Sequence, residues 1–198
     1  MAHAPSKESS KTDSGMKYSS KALLIMLTAL VLCLAAVFLY GHFDTLRTTE
    51  EILKKAEKEC HIPIADDSSL SLCGSCEIGE NEHMFWFTAV DNQGENRYQP
   101  MRFTEVGENK YKFRHAPQLF VCENDIAYDH YSHGIVYLVN NPDCVSIVFN
   151  DGTSDEITVQ VDNIPFIYKY EYKNLYNDEG TEEIITVKFL DSNGDIIM

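Results

Sequence analysis

One uninterrupted apolar run near the start of the sequence constrains this chain more than any other feature. Residues 22–40 form a run of 19 residues without a charged residue, a glycine or a proline. As an α-helix with a rise of about 1.5 Å per residue, such a run extends about 28 Å, close to the roughly 30 Å thickness of the hydrocarbon layer of a bilayer. We therefore predict a single transmembrane helix at residues 22–40.

The residues that flank this run predict that it is kept as an anchor. A cleaved signal peptide has an apolar region of about 7 to 15 residues followed by small residues at the cleavage site. This run is longer, and the segment 38–43 at its end offers no such pair of small residues. Lys17 and Lys21 lie directly before the run and only Arg47 lies close after it. Because Lys and Arg are retained on the cytoplasmic side, we expect residues 1–21 to be a disordered cytoplasmic tail and the bulk of the chain to be extracytoplasmic.

The acidic charge of the chain lies almost entirely after the tail. The formal net charge of the whole chain is −15. Residues 1–21 contain four basic and two acidic residues, which leaves 12 basic and 29 acidic residues for 22–198, a net charge of −17. A surface of this sign repels phosphate backbones and anionic lipids. The charge therefore argues against nucleic acid as a partner and otherwise indicates a soluble domain.

Residues 44–115 are predicted to form a helix and a three-stranded β unit. Thr48 and Glu51 have the spacing of a reciprocal capping box, apolar residues then recur on one side of a helix, and Pro63 ends it. Residues 65–82 are rich in Ser, Gly and acidic residues, which is typical of a loop. Short β-branched and aromatic runs separated by glycine-bearing turns then predict an antiparallel meander. Its strands are expected at 84–90, 97–106 and 110–115.

The remainder of the chain is predicted to form a linker at 116–133 and a small immunoglobulin-like β unit at 134–198. Short runs with period-2 alternation in the second segment are separated by turns that contain Asn, Asp and Gly, a spacing typical of a β-sandwich. The predicted fold class is therefore mainly β (α+β), behind an N-terminal transmembrane helix. We expect the unit at 134–198 to have a hydrophobic core of its own. The residues expected to fill this core are Val145, Ile147, Phe149, Ile157, Val159, Val161, Phe166, Tyr168, Val187 and Phe189.

The layout of the chain and two short segments carry a resemblance. An anchor, a charged helix and a small β unit are followed by GIVYLVNNPD at 134–143 and by FLDSNGDII at 189–197. In this layout the chain resembles a diffuse group of short, uncharacterised membrane-anchored proteins of Gram-positive bacteria. The resemblance covers most of the chain, supplies no catalytic residues and implies a bacterial cell-surface location.

The cysteines are the first candidates for chemistry. Cys73 and Cys76 have the spacing of a redox dithiol or of half a zinc site. A thioredoxin-like motif needs a preceding strand and a helix that begins at the first cysteine, and the sequence around this pair indicates neither. Extracytoplasmic cysteines more often form structural disulfides, which is the structural interpretation of this pair. Because the number of candidates is odd, at least one of them must stay unpaired. The disulfide candidates are Cys60, Cys73, Cys76, Cys122 and Cys144.

A second group of polar residues lies in the predicted linker. His130 and His133 would share one face if this segment formed a helical turn, and Asp125, Asp129 and Cys122 lie close by in sequence. Zinc accepts such ligands, but a structural zinc site normally shows two well-spaced ligand pairs. Apolar residues interleave here, so we predict no metal site. The weak metal candidates are Cys73, Cys76, His130 and His133.

Two further patterns have both a structural and a functional interpretation. Phe166, Tyr168, Tyr170 and Tyr172 form an aromatic stripe on one face of a predicted strand. Such a stripe is more often a core face than a surface that binds sugars or peptides. The segment at 191–195 resembles the start of a calcium loop but lacks its closing acidic residue, so a hairpin turn is expected.

No motif of a known catalytic class is found in the sequence. It contains no nucleophile elbow, no phosphate-binding glycine loop and no paired metal-binding helix motif. We therefore predict a protein that is not an enzyme and has no cofactor, namely a membrane-anchored binding or interaction module of the cell envelope. Its partner would be another envelope protein or a cell-wall component. The alternative hypothesis is an extracytoplasmic thiol–disulfide or metal-binding protein that uses Cys73 and Cys76.

Overall fold

The computed structural model describes residues 20–118, 120–150, 156–172 and 186–198, with the backbone alone at 38–43. The chain divides into two compact units. The first ends at Asp44, and the second is Thr45–Met198. The predicted tail at 1–21 lies outside the described residues except for its last two positions.

The described part of the first unit is a single apolar helix, α1 (Ser20–Phe43). It confirms the predicted helix and extends it at both ends. The segment Ser20–Val37 is long and apolar enough to cross a membrane, and none of it is buried. The hydroxyl of Thr28 donates a hydrogen bond to the carbonyl oxygen of Leu24 (2.9 Å), so this polar side chain is satisfied within the helix. The length and composition of α1 are those of a membrane anchor or a signal sequence.

The second unit begins with the short amphipathic helix α2 (Thr49–Glu59). The predicted capping box is confirmed, because the Thr48 hydroxyl accepts from the Glu51 N–H and a Glu51 carboxylate oxygen accepts from the Thr48 N–H, both at 3.2 Å. These bonds satisfy backbone donors that a helix N-terminus leaves unpaired. Ile52 and Ala56 are buried, which fixes the face that packs on the sheet below.

The first sheet has four strands rather than the three predicted. They are β1 (Ser71–Gly79), β2 (Glu82–Val90), β3 (Asn96–Gly107) and β4 (Lys110–His115), paired in chain order and antiparallel. The prediction of a loop throughout 65–82 was wrong, because β1 lies within it. Ser and Gly residues obscure the alternation of this edge strand, and a register shift between its second and fourth residues interrupts it further.

The middle sheet shows that the predicted linker is also wrong. Within 116–133 the structure forms β5 (Val121–Glu123) and β6 (Ile126–Tyr131). These strands join β7 (Gly134–Val139) and β10 (Phe166–Glu171) in a sheet of order β10-β7-β6-β5. The turn between β5 and β6 is made by two residues with positive φ, Asn124 (50°) and Asp125 (56°), a conformation that Asn and Asp tolerate.

The third sheet packs on the middle sheet and completes a sandwich. It consists of β8 (Ser146–Asn150), β9 (Ile157–Gln160) and β11 (Thr186–Leu190), in the order β11-β8-β9. The C-terminal segment continues it, since the Ile197 N–H donates to the Phe189 carbonyl (2.8 Å). In immunoglobulin terms, β6, β7 and β10 occupy the A, B and E positions of one sheet, and β9, β8 and β11 the C′, C and F positions of the other. The predicted immunoglobulin-like sandwich is confirmed, and it starts at β6 rather than at residue 134.

Three apolar cores hold α2 and the three sheets together in layers. The core between α2 and the first sheet contains Ile52, Ala56, Phe85, Phe87 and Phe103. The core between the first and middle sheets contains Met84, Trp86, Ala127, Val136 and Leu138. The core between the middle and third sheets contains Ile135, Tyr137, Ile147, Phe149 and Phe189. Nine of the ten residues expected in this core belong to it or pack against it. Val145 was wrongly included, because it lies just before β8 and is 37% exposed. The prediction of a separate core for 134–198 was also wrong, since the middle sheet is buried on both faces and is shared with the first.

Candidate functional site

The predicted cysteine pair lies on a strand. All six cysteines are free thiols in this structure. Cys73 and Cys76 are part of β1 and pack against the core between the first and middle sheets. Burial raises the pKa of each thiol to about 11, and for Cys76 the nearby Lys169 ammonium opposes the shift. At neutral pH both are therefore neutral thiols, because burial outweighs the nearby Lys169 ammonium and neither cysteine lies at a helix N-terminus, which would activate it.

The remaining disulfide candidates are distributed over the domain. Cys60 ends α2 and accepts a hydrogen bond from the Ile62 N–H (3.4 Å). Cys122 is exposed on β5. Cys144 is buried in the sandwich core and donates to the Ser146 carbonyl (3.7 Å). Each of these thiols thus has its own environment in a different part of the fold.

The two histidines are on opposite sides of the middle sheet rather than on one helix face. His130 is on β6 and faces the third sheet, where its Nδ1 lies 3.2 Å from the Tyr172 hydroxyl. His133 is in the turn between β6 and β7 and lines a cleft on the other side. Among the residues that the structure describes, no group of three or more His, Cys, Asp or Glu side chains is arranged to hold a metal ion.

The cleft beside His133 is where the edge strands of two sheets meet. We call it the seam cleft, and its volume is about 360 Å³. One wall is the end of β1, an edge strand of the first sheet, and the other is the end of β10, an edge strand of the middle sheet. Its lining consists of Glu77, Ile78, Gly79, Tyr131, His133, Lys169 and Glu171.

The register of three strands brings Tyr131 against Gly134, next to this cleft. Tyr131 on β6 and Glu171 on β10 both pair with Gly134 on β7. A side chain at Gly134 would have no room, because a Cβ there would lie 2.8 Å from the Tyr131 hydroxyl oxygen and would overlap the Tyr170 carbonyl oxygen. The Tyr131 ring therefore extends over Gly134, which only a glycine permits.

A second glycine brings β1 close to β10. Gly74 has a φ of 152°, and a Cβ at this position would lie 2.9 Å from the Ile167 Cδ1 atom of β10. Gly74 also sits at the register shift of β1. The positive φ of Gly74 therefore favours glycine at this point, where the end of the Ile167 side chain lies against β1.

Some polar groups of the seam cleft have a partner, and one has none among the described residues. Lys169 and Glu171 form an ion pair at 2.7 Å, and this contact holds the pKa of the Glu171 carboxyl below its usual value. The Tyr131 hydroxyl is buried and has no hydrogen-bond partner among the described residues. Burial raises the pKa of Tyr131 to about 12, and the Glu171 carboxylate adds to the shift. The hydroxyl is thus a protonated, unpaired donor near neutral pH.

The aromatic stripe on β10 belongs to the sandwich core. The Phe149 ring stacks on Tyr170 at a centroid distance of 4.7 Å and packs on Tyr168 at 5.3 Å. The structural interpretation of the stripe is therefore correct. The open end of this core is a second cavity of about 320 Å³, lined mainly by apolar and aromatic side chains together with His130.

Sequence reasoning missed most of the seam cleft. Only His133 and, close behind the lining, Cys76 were among its candidates. The alternation on β10 does place Lys169 and Glu171 on the face opposite the aromatic stripe. The sequence carries no comparable signal for Tyr131 and Gly134, because their contact depends on how β6, β7 and β10 align.

Comparison with known proteins adds no relative. No family model, no curated protein and no solved structure matches the chain. The functional argument therefore rests on the residues and geometry of the chain itself.

The raised pKa values of the buried thiols predict a loss of folding stability at alkaline pH. A thiol whose pKa is raised on folding contributes stability below the ordinary cysteine pKa of about 8.5, and this contribution is lost as the pH rises towards the folded value. For Cys76 that value is about 11. We expect the free energy of unfolding to fall between about pH 8.5 and pH 11, and Cys76→Ala to reduce this slope. Urea titrations followed by circular dichroism measure it, with Cys33→Ala in α1 as the control. An unchanged slope in Cys76→Ala would show that this thiol ionises freely in the folded chain.

Proposed function

We propose that this chain is a single-pass membrane protein that carries a non-enzymatic binding domain on the extracytoplasmic side. In this proposal α1 is the anchor, residues 1–21 are cytoplasmic, and the seam cleft is the binding site of the domain. The partner class is another envelope protein or a cell-wall component, as the resemblance to membrane-anchored proteins of Gram-positive bacteria implies.

The exposure of α1 is the observation that carries the proposal. The large apolar side chains along its first 18 residues are mostly exposed, for example Leu24 at 64% and Leu32 at 65%. The second unit has three apolar cores of its own. A soluble chain rarely exposes such a continuous apolar surface, and a helix satisfies its backbone hydrogen bonds internally, as the hydrocarbon layer requires. Lipid is the environment that fits α1.

The chemistry of the seam cleft supports binding rather than catalysis. Its one ammonium group, on Lys169, is already paired with Glu171, and the nearest thiol, Cys76, is held neutral by burial. A nucleophile needs either a depressed pKa or an adjacent base, and neither group meets this condition. For the same reason the observed geometry favours binding over the alternative thiol–disulfide role of Cys73 and Cys76.

We expect the intact chain to be anchored with position 9 inside and position 192 outside. Ser9→Cys and Ser192→Cys, each in a background with the native cysteines replaced by alanine, should report this in whole cells. Because Lys17 and Lys21 are retained in the cytoplasm, a membrane-impermeant maleimide should label position 192 but not position 9. The two variants should label equally after detergent permeabilisation, which is the control.

The same experiment separates the proposal from its competitors. Labelling of position 9 in intact cells would show that the chain has the opposite orientation in the membrane. Release of a shortened chain without position 9 would show that α1 is a cleaved signal sequence. The first outcome would contradict the proposed orientation, and the second would contradict the proposed anchor.

A further inference from the structure

We propose that the open end of the sandwich core binds a small neutral aromatic molecule that carries a carbonyl oxygen. The site is the cavity of about 320 Å³ between the middle and third sheets, which we call the sandwich cavity. Its lining includes Tyr128, His130, Tyr137, Phe189 and Met198. This inference goes beyond the proposed function, because it assigns a second binding site, on the side of the middle sheet that faces the third sheet.

The hydroxyl of Tyr137 is the first reason to assign a ligand to this cavity. Tyr137 on β7 lines the cavity and is 3% exposed. Its hydroxyl has no hydrogen-bond partner among the described residues, and, unlike the Tyr131 hydroxyl, it is not fully enclosed by protein. A buried polar group without a partner opposes folding and therefore needs an explanation. A molecule in the cavity can reach this hydroxyl and supply the partner.

The protonation of Tyr137 specifies an acceptor on the ligand. Burial raises the pKa of Tyr137 well above its usual value, and the phenols of Tyr172, Tyr128 and Tyr170 add to the shift. The hydroxyl therefore keeps its proton at neutral pH and can donate it to an oxygen. A bound water needs two to four polar partners, whereas much of the lining is apolar. A carbonyl group on an apolar body fits these surroundings better than water does.

The walls of the cavity specify an aromatic ring. Tyr137 contacts Tyr128 and Phe189 with a centroid distance of 5.6 Å in each pair, and the ring planes are inclined by 48° and 60°. Aromatic rings prefer such inclined contacts, which stabilise more than burial of the same area alone. Met198 adds a thioether, which also packs favourably on aromatic rings. An aromatic ligand would extend this cluster of rings.

The composition and volume of the lining restrict the ligand further. None of the described side chains that line the cavity is Asp, Glu, Lys or Arg, so a charged ligand would lose its hydration without an ion pair in return. A sugar would bury several hydroxyls against Ile135, Val187 and Phe189. The volume of about 320 Å³ is about twice that of a roughly 150 Å³ apolar cavity that binds benzene. A molecule with one or two rings therefore fits.

The test uses the full chain in detergent micelles, with its methionine methyl groups labelled with ¹³C. Of the six methionines, Met198 lines the cavity. Met84 and Met101 are buried in the other two cores and serve as internal controls, and Met26 in α1 reports uptake of the probe by the micelle. The probe is acetophenone, a neutral aromatic ketone. We expect a saturable shift of the Met198 signal while the Met84 and Met101 signals stay unchanged.

Two further probes test the aromatic ring and the neutral, mainly apolar character of the ligand on the unmodified chain. Cyclohexyl methyl ketone has the carbonyl and the size of acetophenone without the aromatic ring, and should bind about threefold more weakly. Methyl glucoside is a neutral sugar of similar size. It should give no saturable shift of the Met198 signal at the same concentrations.

A variant tests the carbonyl. Tyr137→Phe should weaken acetophenone binding about fivefold relative to ethylbenzene, because ethylbenzene has no oxygen that the hydroxyl could reach. Uptake by the micelle is the same for both forms of the chain and cancels in this comparison. The melting temperature should stay the same or rise, since the variant removes an unpaired hydroxyl. Tyr168→Phe is the matched control, because Tyr168 packs against the same core but does not line the cavity.

Four results would overturn the inference. They are the absence of a saturable Met198 shift with acetophenone up to its solubility limit, binding of cyclohexyl methyl ketone as tight as that of acetophenone, saturable binding of methyl glucoside, and an unchanged ratio of acetophenone to ethylbenzene affinity in Tyr137→Phe. The first three are measured on the unmodified chain, so they hold even if the variant does not fold.

Discussion

Replacement of Gly134 by alanine should destabilise the second unit by about 3 kcal/mol or more, because overpacking in a rigid core is not relieved by small shifts. A Cβ at this position would overlap the Tyr170 carbonyl oxygen and would lie 2.8 Å from the Tyr131 hydroxyl oxygen. The first of these atoms belongs to the backbone of β10, which pairs with β7 along its whole length. Since all six residues of β7 are buried in the middle of a sheet, β7 has no room to move away from β10.

Gly107→Ala provides the matched control for this experiment. A Cβ at Gly107 would make an ordinary contact, 3.5 Å from the Lys110 Cδ atom, so its effect should be within about 1 kcal/mol. Urea denaturation followed by far-ultraviolet circular dichroism measures both variants. Equal stability of the two variants would show that β10 does not lie against Gly134 as described.

Periodicity in the sequence was sufficient to predict the elements that have one buried face. The helix α2 has a capping box and one apolar side, and the structure buries Ile52 and Ala56 on that side. On β9 the predicted alternation is also observed, since Val159 is partly buried against the sandwich core and Thr158 is exposed. In both cases a local pattern reflects a single interface between an element and a core.

The same reasoning failed for β6, because this strand is covered on both faces. Ile126 faces the third sheet and Ala127 the first, so the strand has no polar face that would produce alternation. Asp129, near the middle of the strand, is a buried acidic residue. In the sequence, an aspartate at such a position indicates a loop rather than a buried strand. The partner that permits its burial is Arg102, which is 27 positions away in the sequence. A local pattern does not contain this information.

The candidate site shows the same limit. Cys73, Cys76, His130 and His133 were selected because their residue types bind metals or perform redox chemistry. The structure brings Cys76 and His133 to the neighbourhood of one cleft and places His130 on the other side of the sheet. What distinguishes the cleft, the unpaired Tyr131 hydroxyl above Gly134, results from strand register. Register is set by pairing between distant segments and not by residue type.

The ion pair between Arg102 and Asp129 should be the most important polar contact between the first and middle sheets. Arg102 on β3 donates from Nη2 to the Asp129 carboxylate on β6 at 3.2 Å and also to the His130 carbonyl oxygen. Asp129 is only 7% exposed. Arg102→Met would leave this carboxylate buried without its cation, and removal of one partner of a buried pair typically costs about 3–5 kcal/mol. We expect a loss of this size in the free energy of unfolding, measured by urea denaturation.

A double variant distinguishes the unpaired charge from simple loss of packing. Arg102→Met combined with Asp129→Leu removes both charges and should recover most of the lost stability, because an apolar pair of similar volume often replaces a buried ion pair without cost. Arg114→Met, on the neighbouring strand β4, is the control, since Arg114 is exposed and donates from Nε to the Thr104 hydroxyl (2.6 Å). Because the two sheets share a core, the single variant should lose structure in one cooperative transition. Separate transitions for the first sheet and the sandwich, or a double variant as unstable as Arg102→Met, would mean that this pair does not join the sheets.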